Sequence, residues 1–137
     1  MESDKLNVLI VDDDEGMRSI VSEWLKNAGH VVASAVDGDD CVAKLSTDID
    51  LIFLDIMMPG PRPEEVIKKI KDSCPNAFVI YMTAVGLSTL TPMQQVKGWK
   101  LDFGPPVVDY LKKPLEEEEV MKSVQRIIRR KRRGDTF

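Results

Sequence analysis

Five short apolar runs punctuate the chain: Val8–Val11, Val31–Ala35, Leu51–Leu54, Phe78–Met82 and Val107–Leu111. They are mostly continuous rather than alternating, and rich in Val, Ile and Leu, as strands buried on both faces are. The segments between them carry helical spacing. The clearest puts Met17, Ile20, Val21, Trp24 and Leu25 on one stripe and stops at Gly29, a residue suited to the position just past a helix end. A second, weaker pattern starts near Asp39 and carries Val42 and Leu45; a third runs from about Glu64, with Val66, Ile67 and Ile70 inward, and ends before Cys74-Pro75. The last uses Val120, Val124, Ile127 and Ile128. It opens with Glu116–Glu119 and closes on an arginine cluster, so both ends complement the helix dipole.

Strand followed by helix, five times over with short links, predicts an α/β fold: one parallel sheet with right-handed crossovers and helices on both faces. No internal repeat or linker divides it. In a doubly wound sheet of this kind a ligand sits beyond the carboxyl ends of the strands, at the point where the strand order reverses. The residues that follow each apolar run are therefore the ones to read for chemistry.

Composition narrows the field. With 137 residues, 43% of them hydrophobic and 31% charged, the chain fits one domain and is not a disordered one. No apolar run approaches the roughly 20 residues a membrane-spanning helix needs, and the acidic start Met1-Glu2-Ser3-Asp4 does not resemble a signal peptide. Cys41 and Cys74 form no metal-binding spacing and no disulfide framework, which points to a reducing, cytoplasmic setting. His30 is the single histidine; it falls in an expected turn and is given no function, and a Ser/His/Asp mechanism is not expected. Five of the 19 basic residues fall in Arg129–Arg133, leaving residues 1–128 with 14 basic against 22 acidic side chains. Such a body does not attract nucleic acid. The basic run has no interleaved aromatics and reads as a solvated helix end, so no nucleic-acid partner is expected.

The first run ends in Asp12-Asp13-Asp14-Glu15, the third in Asp55, the fourth in Thr83, and the fifth leads into Lys112-Lys113-Pro114. Carboxylates, a hydroxyl and an ammonium thus converge on one edge. Asp12–Asp14 also suit the cap and first turn of a helix. Asp55, directly after Leu51-Ile52-Phe53-Leu54, needs a partner at that depth. Carboxylates gathered this way repel one another, and Mg²⁺, which prefers oxygen ligands, is the usual remedy.

Val8-Leu9-Ile10-Val11-Asp12-Asp13-Asp14-Glu15, Leu51-Ile52-Phe53-Leu54-Asp55-Ile56-Met57-Met58-Pro59-Gly60, Val79-Ile80-Tyr81-Met82-Thr83-Ala84 and Asp109-Tyr110-Leu111-Lys112-Lys113-Pro114 resemble the receiver domain of bacterial two-component response regulators, over about residues 5–130. The resemblance implies a flavodoxin-like sheet of order 2-1-3-4-5, with a receiver domain over 1–130 and a basic tail over 131–137. It implies a phospho-acceptor at Asp55 rather than an enzyme. Mg²⁺ would be held by Asp12, Asp13, Asp55 and the backbone carbonyl of Met57. Lys113, ahead of a cis proline bond, and Thr83 would contact the phosphoryl group, and Tyr110 would be an aromatic switch. A histidine kinase or phosphotransfer protein would be the donor. The output would be a changed protein contact on the face that the family builds from its fourth helix, fifth strand and fifth helix.

Two stretches depart from the family. After Gly60 the family's apolar residue, Asp and Gly are replaced by Pro61-Arg62-Pro63, which stiffens the loop and removes two backbone donors. The stretch from Thr83 to Lys113 is longer than usual. Thr91-Pro92 reads as the start of a short helix limited by Gly98 and Gly104-Pro105-Pro106, so a remodelled fourth helix is expected, with Trp99 and Phe103 as candidate partner contacts. Apolar Met57 and Val85 beside the site suggest a phosphoryl group that lasts longer than seconds. A stand-alone receiver is the leading expectation. A receiver cut from a longer regulator and a phosphorylation-independent docking module are the alternatives. A flavin protein would place Gly, Ser and Thr donors where Asp12–Asp14 stand, and an aspartyl phosphatase would place a second acid where Met57 stands.

Overall fold

The structure, a computed structural model, describes residues 4–84 and 106–134. Strands β1 (Asn7–Val11), β2 (Val31–Ala35), β3 (Leu51–Asp55), β4 (Phe78–Thr83) and β5 (Val107–Lys112) form one parallel sheet in the order β2-β1-β3-β4-β5. Helices α1 (Glu15–Asn27), α2 (Gly38–Ala43) and α3 (Pro63–Ser73) follow the first three strands, and a C-terminal helix spans Glu117–Arg132. The doubly wound α/β sheet of order 2-1-3-4-5 is as the sequence implied. The expectations for a remodelled fourth helix, Val85, Thr91-Pro92, Trp99 and Phe103 fall outside the described residues.

Alternation along the central strands divides the core in two. Val8, Ile10, Leu51, Phe53, Phe78, Ile80 and Met82 face one side, where Val21 and Leu25 of α1 and Val120, Val124, Ile127 and Ile128 of the C-terminal helix cover them. Leu9, Val11, Ile52, Leu54, Val79 and Tyr81 face the other, under Cys41 of α2 and Val66, Ile67 and Ile70 of α3. Each fully buried aliphatic side chain contributes roughly 1.5–3 kcal/mol, so burial on two faces explains the continuous apolar runs. The edge strand β2 is the exception: Val31 and Ala33 are exposed.

Two helix readings need correction. Ile20 is 43% exposed rather than part of the buried stripe of α1. It lies about 85° from the centre of the arc formed by Met17, Val21, Trp24 and Leu25, at the rim of what a helix can bury. Helix α2 ends at Ala43, so Leu45 packs against the core from the following loop. The remaining ends are as read: Gly29 follows α1 with φ +96°, and α3 begins at Pro63.

His30 is buried at the turn into β2, and its Nδ1 accepts the Leu6 N–H at 3.0 Å. Burial pulls its pKa below the ordinary histidine value, against a smaller opposing pull from Asp4. At the same end of the sheet the basic run is tied to the body. Lys131 reaches Asp50 at 2.6 Å, Arg132 pairs with Asp4, and the Arg130 guanidinium lies 5.0 Å from the centre of the Phe78 ring. Among the described residues no helix is long and apolar enough to cross a membrane.

Candidate functional site

The carboxyl ends of β1 and β3, the two strands on either side of the point where the order reverses, deliver the acidic residues. The buried run Val8–Val11 carries Asp12 to full burial. Asp12 Oδ1 accepts the Asp14 N–H at 2.9 Å, and the Asp12 carbonyl accepts Arg18 Nη1 at 2.7 Å. Asp13 stays exposed. Asp14 takes no part in the cluster: it caps α1, its Oδ1 accepting the N–H groups of Gly16 at 2.9 Å and Met17 at 3.4 Å. The first acidic turn thus divides its labour, with two carboxylates at the site and one at the helix start.

Asp55 ends β3 at 4% exposure. Its Oδ1 accepts the Met57 N–H at 2.9 Å and its Oδ2 accepts Lys113 Nζ at 3.0 Å. Lys113 arrives from the far side of β4: its own N–H donates to the Thr83 carbonyl at 2.7 Å, and its bond to Pro114 is cis. Lys113 Nζ also lies 2.7 Å from Asp12 Oδ2. That approach is an ion pair rather than an aligned hydrogen bond. Thr83 ends β4 fully buried, and Ala84 after it is exposed. Tyr110 lies on β5, 46% exposed.

Burial pushes the Asp55 carboxyl above its ordinary pKa; the Met57 N–H and Lys113 pull the other way, and Asp12 adds to the rise. Burial alone would lower Lys113, but its contacts with Asp12 and Asp55 outweigh that and raise it. One ammonium therefore faces three carboxylates. Asp12, Asp13 and Asp55 each offer an oxygen, all within 4.8 Å of one another. An all-oxygen set in which three carboxylates share one ammonium fits Mg²⁺.

The sequence-derived residues Asp12, Asp13, Asp55 and Lys113 thus meet at one point, with Thr83 at the adjoining strand end. Tyr110 lies on the edge strand β5. Sequence reasoning missed the Arg18 contact with the Asp12 carbonyl. Its only signal was an arginine one turn into the helix that the site itself begins.

The family described as the response regulator receiver domain matches residues 8–125. The transcriptional regulatory protein CpxR of Klebsiella pneumoniae is 33% identical over 123 residues, covering 90% of this chain and 49% of CpxR. ResD of Bacillus subtilis is 31% identical over 130 residues, covering 94% of this chain and 50% of ResD. The chain thus spans about half the length of the curated relatives it matches. The response regulator protein TrrA of Thermotoga maritima, solved in complex with Mg²⁺-BeF, superposes with a TM-score of 0.69 at 25% identity, over 89% of this chain and 98% of that one.

Proposed function

The chain belongs to the response regulator receiver domain family and is a phosphoacceptor of two-component signalling rather than an enzyme, and we propose that Asp55 is the residue that takes the phosphoryl group. The observation that carries this reading is the placement of Asp55. It is a strand-end carboxylate with Lys113 Nζ at 3.0 Å from one oxygen and with Asp12 and Asp13 alongside.

Receiver domains pair with histidine kinases, and a phosphohistidine of the kinase or of a phosphotransfer protein is the donor in this reading. An Asp55 oxygen forms the new P–O bond as the P–N bond breaks. The electron pair returns to the imidazole nitrogen, and an acyl phosphate remains on Asp55. Asp12, Asp13, Asp55 and the Met57 carbonyl would hold Mg²⁺, which would neutralise phosphoryl charge. The protein's own part is positioning and electrostatics. The Met57 N–H orients the Asp55 carboxylate, Lys113 turns from the carboxylates to a phosphoryl oxygen as a point charge, and the Thr83 hydroxyl donates to another.

Movement of Thr83 toward the phosphoryl group leaves room for Tyr110 to turn inward. The surface of β5 and the C-terminal helix then changes its fit to a downstream protein. Residues 1–130 form the receiver in this reading and 131–137 its basic tail. It also places the protein in the cytoplasm, where free buried thiols such as Cys41 and Cys74 persist.

Intact-protein mass after incubation with acetyl phosphate, with and without Mg²⁺, tests the assignment. A single phosphoryl adduct that requires Mg²⁺ and disappears in Asp55→Asn is expected. An adduct that survives Asp55→Asn places the acceptor elsewhere.

A further inference from the structure

The loop that leaves Asp55 is anchored at both ends. At its start Ile56 is buried and its N–H donates to the Met82 carbonyl at 3.1 Å. At its far end Pro61 lies against Gly38, the first residue of α2. A Cβ at position 38 would sit 2.9 Å from Pro61 Cγ and 3.1 Å from Val66 Cγ2. Gly38 has no positive φ, so space rather than backbone freedom calls for glycine there.

Little slack exists between the anchors. Pro59, Pro61 and Pro63 each fix φ near −65° and restrict the residue before them. Arg62 is accordingly extended, at φ −66° and ψ 150°. Gly60, at φ +105°, makes the turn. Between Pro61 and Met57, Pro59 has a fixed φ and Met58 and Gly60 each precede a proline, so part of a displacement of Pro61 reaches Met57.

We infer that Gly38 and Pro61 are positioning residues for the divalent cation: their contact holds the loop that presents the Met57 carbonyl beside Asp55, and α2 thereby sets metal affinity. The inference rests on the reading of the Met57 carbonyl as a ligand. Neither residue touches the ion. Both act through a carbonyl whose placement matters because Mg²⁺ demands near-octahedral geometry. A methyl group at position 38 meets a proline ring, which has no flexible end to swing away, and the loop must yield.

Calorimetric titration of the full chain with Mg²⁺, beside urea unfolding in EDTA, tests this on wild type, Gly38→Ala, Pro61→Ala and the double variant. Each single variant is expected to bind Mg²⁺ about tenfold more weakly, and the double variant no more weakly than the worse single, because Pro61→Ala removes the ring that the new methyl meets. A packing role alone lowers the urea midpoint and leaves the Mg²⁺ Kd within twofold of wild type. That result, or losses that multiply in the double variant, overturns the inference. If Gly38→Ala does not fold, Pro61→Ala decides by the same criterion. A wild type that binds no Mg²⁺ overturns the site reading and this inference together, whereas unchanged binding in the variants overturns the inference alone.

Discussion

Lys113 Nζ donates to Asp55 Oδ2 at 3.0 Å across the end of the intervening strand, joining residues 58 positions apart. This ammonium is the sole cation within salt-bridge reach of Asp12 and Asp55 among the described residues. Lys113→Met leaves two buried carboxylates unpaired and is expected to lower stability in EDTA by about 3 kcal/mol. Saturating Mg²⁺ restores more stability to the variant than to wild type, because the ion then replaces the missing charge. Urea unfolding with EDTA and with Mg²⁺ measures both quantities; equal Mg²⁺ gains in the two proteins would count against the electrostatic account.

Asp55→Asn acts in the opposite direction. The folded-state pKa of Asp55 is raised, so folding favours its protonated form. The group opposes folding once pH exceeds the unfolded value, and that opposition is complete above the folded one. Removing the charge leaves Lys113 paired with Asp12. In EDTA at pH 7.5 the variant is expected to have a higher urea midpoint than wild type. The advantage shrinks as pH falls toward the ordinary carboxylate value of about 3.9. A lower midpoint at pH 7.5 would show that the lost Lys113 contact outweighs the relieved repulsion.

His30 gives a second pH dependence, with the reverse sign. Its folded pKa is depressed and its Nδ1 is occupied by the Leu6 N–H. The stability it contributes is present above the unfolded value of about 6.5 and is lost as pH falls through the folded value. Between pH 7.5 and 5.5 wild type is expected to lose urea stability that His30→Asn, which keeps a neutral acceptor, does not lose. Parallel pH profiles for the two proteins would assign the acid sensitivity elsewhere.

Asp50 is the anchor for the basic end of the C-terminal helix. Its two oxygens accept the Asn7 N–H at 2.8 Å and Lys131 Nζ at 2.6 Å. Asp50→Ala is expected to cost about 1.5–3 kcal/mol, the range for hydrogen bonds to a charged group. Because Lys131 and Arg132 are already paired, fluorescence anisotropy with a labelled oligonucleotide at low salt is expected to show no binding by wild type. Binding that weakens steeply with added salt would mean these pairs open in favour of phosphate.

The sheet and the heart of the site were legible for one reason. A strand buried on both faces is a run of apolar residues, and the first polar residue after it stands at the sheet's carboxyl edge. Asp12, Asp55 and Thr83 were found by that rule, whereas Lys113, second after its run behind Lys112, was singled out by the resemblance to receiver domains. Ile20 and Leu45 were misread because helical spacing fixes an angle and not how far the neighbouring sheet extends, and because α2 stops after six residues. The Arg18 contact, the His30 acceptor and the seat of Pro61 on Gly38 join separate elements. Local pattern carries no trace of such pairings until the chain has folded.

The C-terminal helix runs from the edge that bears Asp55 to the opposite edge, where Asp4 and Asp50 receive its last turn. Its first turn holds Glu117, Glu118 and Glu119, and its last holds Arg129, Arg130, Lys131 and Arg132. Together with Asp12, Asp13 and Asp55 this grades charge along the strand direction, negative at one pole and positive at the other among the described residues. This separation of charge runs from the edge that bears Asp55 to the edge that bears the helix's last turn. A partner with a basic surface exerts a torque on the molecule before contact, turning the acidic pole, and Asp55 with it, toward the encounter.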